Sequence, residues 1–370
     1  MPIPALDESV TSDWLSAVLR ASGALPTGEV SRVTPRANEA FNSAALHLEV
    51  AYSADAPPDA PARLFLKRNI AAPWAIEAGA REVAFYRLVA PYRAELPMIV
   101  PCYGAEADEA TGRSYVLLLD VSATHQAPVT RDDLLAGQGV PSQAHLDLVV
   151  DTIAAFHAFW WEHSALGTTA LGITPWYRDR AAWDESMKDG HDEWAAFIAA
   201  EGEWFPDSLR TLYERILAGQ PTWWDRYLAP RVTTHRNLTL SHGDGYLSQF
   251  LCPREGASGP TYLIDFQGPK GDFATDDLVH LFAIFWTPEQ RHEGDRELRC
   301  LRRYHDALQA HGVRGYTWEQ LLDDYCLRLI CMLQVTVWDQ TNGSARSYWW
   351  PKMQCLAAAF RDHDAWRLLE

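Results

Sequence analysis

Asp244, Gln249 and Asp265 are the residues of this chain whose types and spacing could do chemistry. Asp244 lies in Leu240-Ser241-His242-Gly243-Asp244-Gly245-Tyr246-Leu247-Ser248-Gln249-Phe250, and Asp265 in Leu263-Ile264-Asp265-Phe266-Gln267. The apolar runs Gln249 to Cys252 and Thr261 to Ile264 flank Pro253-Arg254-Glu255-Gly256-Ala257-Ser258-Gly259-Pro260, which predicts a strand, a turn and a strand. A hairpin brings the residues before its first strand beside those after its second, so Asp244 and Asp265 are expected to face one small volume. Magnesium takes hard oxygen ligands, usually one or two carboxylates with phosphate oxygens and water. Asp265 and the side-chain oxygen of Gln249 suit that role, and Asp244 suits accepting the proton of an attacking hydroxyl. Those are the parts of a phosphoryl-transfer site, where positioning and charge neutralisation supply most of the catalysis. The same residues also fit a polar turn between buried strands, with His242 and Asp244 satisfying backbone groups.

The segment resembles the catalytic loop of the aminoglycoside phosphotransferase and choline kinase superfamily, whose pattern is His-Gly-Asp, four residues, then Asn. Ile264-Asp265-Phe266 resembles its later Asp-Phe/Trp element, and Gly271 to Leu278 the turn and helix start that follow. The resemblance implies that Asp244 is the catalytic base, Asp265 the principal metal ligand and position 249 a second ligand. Here Gln249 stands where the pattern has Asn. The extra methylene moves the amide oxygen by about a bond length, and magnesium tolerates distorted octahedra badly. Either the loop compensates or a second ion is weakly held. The broader texture of the chain is similar to the ecdysteroid-kinase-like branch.

The elements that must position these groups follow in chain order. Val10, Trp14, Leu15, Val18 and Leu19 have helical spacing, predicting a helix over 7–22 with Asp7 or Ser9 as cap. Val30 to Thr34 and Ala45 to Tyr52 read as strands, the second alternating Leu46, Leu48, Val50 and Tyr52 on one face. By its place in the resemblance, the tip between them, with Asn42 and Ser43, is expected to cover the nucleotide phosphates. Lys67 ends the apolar strand Arg63-Leu64-Phe65-Leu66, and Glu82 lies on a following helix, the order of a phosphate-contacting lysine held by a helix glutamate. Glu77 competes for that job from the same helix; Glu82 is favoured because Glu82-Val83-Ala84-Phe85-Tyr86 resembles the family. Met98 to Tyr103 and Ser114 to Leu119 predict a further hairpin around the acidic turn Gly104 to Gly112, completing an antiparallel sheet. Leu118-Leu119-Asp120-Val121-Ser122 then reads as the hinge between lobes, where adenine would meet backbone groups, those of Leu119 and Val121 among them. Asp120 fits either a ribose contact or the cap of the next turn.

From Ser142 onward the pattern is helical. Leu146, Val149, Val150, Ile153, Ala154, His157 and Trp160 form one core stripe, in which His157 is read as a satisfied core histidine. Residues 176–204 mix tryptophan with acids, which suits either a wall for a cationic ligand or exposed charges over buried tryptophans. Asp277, at a helix start, resembles the family's structural aspartate and is read as scaffold. Trp338-Asp339 and Trp349-Trp350 are candidates for one wall of an acceptor pocket.

Composition bounds the answer. The 370 residues suffice for two lobes, and 48% hydrophobic with 22% charged content is ordinary for a globular chain. A formal charge of −17 argues against nucleic-acid binding and is compatible with a cationic substrate. Six cysteines without a CxxC pair point to free thiols. The opening Met1-Pro2-Ile3-Pro4 lacks the regions of a signal peptide, and no apolar run approaches the ~20 residues that span a bilayer. A cytoplasmic location with no membrane partner is expected.

The fold class expected is α+β, bilobal and protein-kinase-like. Residues 1–121 would form a nucleotide-binding lobe with a small antiparallel sheet and a helix, and 122–370 a mainly helical lobe with the catalytic loop and acceptor pocket. The resemblance implies an ATP- and Mg2+-dependent phosphotransferase acting on a hydroxyl of a small molecule: an antibiotic, an amino alcohol, a sugar or a steroid-like alcohol. GTP is an alternative donor. A catalytically silent nucleotide-binding protein is one rival reading, and a metal-dependent hydrolase using His242, Asp244 and Asp265 is another.

Overall fold

Burial alternates strictly along Arg63–Asn69, with Leu64, Leu66 and Arg68 inward and Lys67 on the other face, as a strand between two neighbours requires. The computed structural model describes residues 3–6, 8–38 and 43–369, the side chains of Asn38 and Ser43 excepted. Contacts divide the chain into two units, Met1–Gln126 with Leu251–Pro269, and Ala127–Phe250 with Lys270–Glu370.

The first unit opens with α1 (Ser12–Ala21), capped by the Thr11 hydroxyl, which accepts the Trp14 amide at 3.2 Å. Thr11 thus takes the job expected of Ser9; Asp7 lies outside the described residues. Strands β1 (Val30–Asn38), β2 (Ser43–Tyr52) and β3 (Arg63–Asn69) precede α2 (Pro73–Val89), and β4 (Cys102–Asp108) and β5 (Arg113–Leu119) follow it. They form one antiparallel sheet in the order β1-β2-β3-β5-β4. Leu15, Val18 and Leu19 of α1 pack into a core with Leu48, Leu64, Leu66 and Leu117. Pro73 opens α2 at the position where a missing N–H costs nothing.

Both outer strands differ from their predicted spans. β1 runs on through Pro35, which pairs with Leu48 in the register; an edge strand has an open side where proline forfeits no ladder bond. β4 begins at Cys102 and continues into the acidic stretch expected to turn, because its outer edge carries Glu106 and Asp108 without burying them.

After β6 (His125–Gln126) the second unit begins with α3 (Arg131–Leu135), α4 (Gln143–Trp160), α5 (Arg180–Glu201), α6 (Asp207–Trp223) and α7 (Ala229–Val232), then β7 (Thr239–Ser241). The chain then makes β8 (Phe250–Pro253) and β9 (Tyr262–Leu263), hydrogen-bonded neighbours beside β6, as the hairpin reading expects. The Leu263 amide donates to the Met98 carbonyl at 2.8 Å, tying β9 to the first unit. β10 (Lys270–Asp272) pairs with β7, and α8 (Thr275–Phe282), α9 (Pro288–His292), α10 (Arg296–Ala310), α11 (Trp318–Thr341) and α12 (Arg346–Asp362) complete the helical unit. Among the described residues no helix is long and apolar enough to cross a membrane, and all six cysteines are free.

The second unit buries an ion pair whose charge depends on pH. Asp324 accepts two bonds from Arg231, at 2.9 and 3.1 Å, and one from the Tyr316 hydroxyl at 2.8 Å. Burial nevertheless pushes its carboxyl up to about 6, against the pull of Arg231 and Tyr316. An unfolded aspartate titrates near ~4, so the folded chain holds this proton more tightly. The stability it contributes is therefore present below about pH 4 and lost as pH rises through the folded value. Asp324→Asn is expected to flatten that fall between pH 4 and 6 in urea titrations; an unchanged pH slope would refute the assignment.

Candidate active site

Lys67, Glu82 and Asp265 come together in the first unit. Strand β3 aims Lys67 off the sheet, and α2 presents Glu82 on its buried face, with Lys67 Nζ 2.8 Å from Glu82 Oε2. Asp265 follows β9 and forms a second ion pair with the same ammonium. Burial disfavours the charge on Lys67, but the two carboxylates outweigh it and hold its pKa above the ordinary lysine value. The lysine is therefore a fixed cation. Glu77, the competing residue, lies exposed on the far face of α2 and pairs with Arg81 at 3.6 Å.

Asp265 occupies the left-handed region, φ 69°. Few side chains adopt that conformation, and aspartate does so because its short carboxyl group can bond locally. The Gln267 amide closes the turn on the Asp265 carbonyl at 2.8 Å. Phe266, the next residue, stacks flat on Phe85 of α2, ring centroids 3.6 Å apart, and Arg81 donates to the Gln267 carbonyl at 2.8 Å.

Asp244 and Gln249 belong to the second unit. Asp244 is exposed in the loop after β7, and Gln249 ends the short 3-10 turn Leu247–Gln249, half-buried. The loop is held from beneath by Asp277 of α8. Its carboxylate accepts the backbone amides of His242 and Gly243 at 2.8 and 3.0 Å, the Ser241 hydroxyl at 3.1 Å and His157 Nε2 at 2.9 Å. Gly243 turns at φ 81°, and a Cβ on Gly245 would lie 2.9 Å from the Asp277 carboxylate, so at that position the loop sits on the group without room for a larger residue. Burial raises the Asp277 carboxyl, but its bond to His157 and the neighbouring imidazoles hold it below the usual carboxylate range. His157 is fully buried and also meets the Tyr304 hydroxyl at 2.8 Å, the satisfied core histidine expected of it.

Removing this anchor leaves several buried donors unpaired. Asp277→Ala is expected to cost about 3–5 kcal/mol of stability, the range for breaking a buried charged network, with Asp277→Asn losing less. Chemical denaturation of the two variants measures it. A loss below about 1 kcal/mol for alanine would show that the loop is held otherwise.

Beside Asp277, Asp276 is paired with Lys270 at 2.7 Å and with Arg328. Among the described residues Asp276, Asp277 and His280 lie close enough to hold a metal. Lys270 and Arg328 already pair with Asp276, His157 Nε2 and two backbone amides engage Asp277, and His280 Nδ1 meets the Asp276 carbonyl at 2.7 Å, so the group is a hydrogen-bonded and ion-paired network. The sequence gives Asp277 a scaffold role but carries no signal for its partners, which come from two separate segments, His157 of α4 and Ser241 to Gly243.

Asn42 lies outside the described residues, and Ser43 opens β2 with its side chain undescribed. The Leu119 amide donates to the Pro101 carbonyl at 2.9 Å, and the Val121 carbonyl accepts the Thr124 and His125 amides at 3.0 and 2.9 Å. Asp120 caps its turn, accepting the Ser122 amide at 2.9 Å and meeting His47 at 2.9 Å. In 176–204, Trp183 is buried against Trp223 and Trp194 stacks on Tyr213, while Asp184 pairs with Arg180 at the surface; Trp176 is exposed, near Lys270. Trp349 is buried, Trp338 exposed, and Asp339 is engaged by Lys352 at 2.7 Å.

Solved structures share this architecture. The Plasmodium vivax ethanolamine kinase superposes with a TM-score of 0.51 at 12% identity, over 90% of this chain and 84% of that one. A microcompartment-associated aminopropanol kinase gives 0.51 at 14%, over 94% and 96%. The GDP complex of aminoglycoside 2'-phosphotransferase-IIIa gives 0.50 at 13%, over 95% and 99%. At these identities the likeness is one of fold, and the α+β kinase-like fold is the class to which the protein belongs. The ecdysteroid kinase-like family matches residues 75–314, more than half of the chain, and the chain is a member of that family. Comparison with curated proteins gave no match.

Proposed function

We propose that the protein transfers the γ-phosphate of ATP, with magnesium, to a hydroxyl of a small molecule. The observation that carries this reading is the Lys67 ammonium fixed between Glu82 and Asp265, because a permanently charged lysine on a strand is what nucleotide phosphates need. In this reading Lys67 binds phosphate oxygens, and Glu82 keeps it in place. Asp265, part exposed, and the Gln249 amide offer oxygen donors, the chemistry magnesium prefers. Magnesium, when bound, would neutralise charge on the transferring phosphate. Asp244 takes the proton of the acceptor hydroxyl, and Asp277 keeps its loop in shape. Leu119 and Val121, with Asn42 and Ser43, remain the candidate backbone contacts for the nucleotide.

Membership of the ecdysteroid kinase-like family makes steroid-like alcohols one acceptor class to test. The names of the structural neighbours add amino alcohols and aminoglycosides. The net charge of −17 is compatible with a cationic acceptor. A γ-phosphate transfer screen over these classes and sugars, with ATP and GTP as donors and Asp244→Asn protein as blank, tests the proposal. No transfer above the blank for any class would count against it.

Gln249 favours one second reading, nucleotide binding without turnover, since its longer side chain displaces the amide oxygen. Calorimetry with and without magnesium, paired with an ATP-hydrolysis assay, separates the two. Binding with no hydrolysis and no transfer supports the silent protein.

A further inference from the structure

The first unit holds a cavity of about 140 Å³ that none of the groups above uses. It lies where α2 ends and the chain returns toward β4. Val89, Leu96 and Val100 are its buried apolar lining, with Ile99 and Tyr262 half-buried beside them and Arg93 exposed at the rim. Apolar cavities of about 150 Å³ take a benzene-sized guest, so the body of this one fits a single six-membered ring.

Two polar features narrow the guest. The Arg93 guanidinium donates to the Cys102 carbonyl at 2.5 Å and, among the described residues, forms no ion pair with a carboxylate, although the chain carries a net charge of −17. A guanidinium has five donors in a planar fork that matches a carboxylate, so most of its capacity stays open. Tyr86, also on the wall, adds a buried hydroxyl without a hydrogen-bond partner among the described residues. The Cys102 thiol offers no chemistry: burial pushes it up to about 11, leaving it protonated. We propose that this cavity binds a small monocyclic carboxylate, its ring in the apolar body and its carboxylate on Arg93.

Benzoate is the probe, and benzyl alcohol is the uncharged control of similar shape. Titration of the full chain, followed by methyl NMR, is expected to shift Val89, Leu96 and Val100 saturably. Arg93→Gln, an exposed substitution, should weaken benzoate about tenfold, as loss of a charge-assisted hydrogen bond does, and leave benzyl alcohol unchanged. Absent or non-saturating methyl shifts would overturn the site, and equal benzoate affinity in Arg93→Gln would overturn its chemistry. Neither readout depends on phosphotransfer.

Discussion

Asp244→Asn is expected to lower phosphotransfer by about 10²–10⁴-fold, the usual cost of losing a positioned general base. Nucleotide affinity should stay within about twofold. The substitution keeps the shape of the side chain and removes its charge. The loop should keep its form, because its amides at His242 and Gly243 are held by Asp277. Single-turnover transfer, with calorimetry on the same protein, measures both quantities. Retained turnover in the purified variant would rule out Asp244 as the base.

The second large effect belongs to Asp265, and here the choice of replacement matters. Alanine would lose the carboxylate and also sit at φ 69°, where a residue without a local bond costs on the order of 1–3 kcal/mol. Asparagine tolerates that conformation, so Asp265→Asn isolates the charge. We expect Asp265→Asn to lose the part of nucleotide affinity that depends on magnesium, while Lys67 keeps Glu82 and some magnesium-free binding remains. Asp265→Ala should show the same loss plus lower stability. Calorimetry with and without magnesium decides it: an Asn variant that responds to magnesium as the parent does would dismiss Asp265 as a ligand.

Much of this was legible in the sequence where chemistry and local pattern coincide. Lys67 and Glu82 were readable because a strand residue and a helix residue occur in the order the phosphate anchor needs. The choice of Glu82 over Glu77 rested on resemblance, and burial accounts for it physically: one acid faces the sheet and the other solvent. The two outer strands were misread for a shared reason. Proline in β1 and acids in β4 look like breaks along the chain, yet both are permitted on strands with one open side. The underpinning of the Asp244 loop was not legible in detail. Ser241, His157, Tyr304 and Asp277 are far apart in sequence, and no spacing rule says which buried hydroxyl an imidazole will meet.

The stack of Phe85 on Phe266, with the Arg81 bond to the Gln267 carbonyl, has a mechanical consequence. Glu82 and Asp265 are mounted on pieces of chain bolted to each other, so an outward swing of the helix would drag the carboxyl-bearing turn along. Separate withdrawal of either acid, the simplest way to build an idle form, is therefore disfavoured. The two acids are thus positioned as one piece, with no separate step needed to bring them to the Lys67 ammonium.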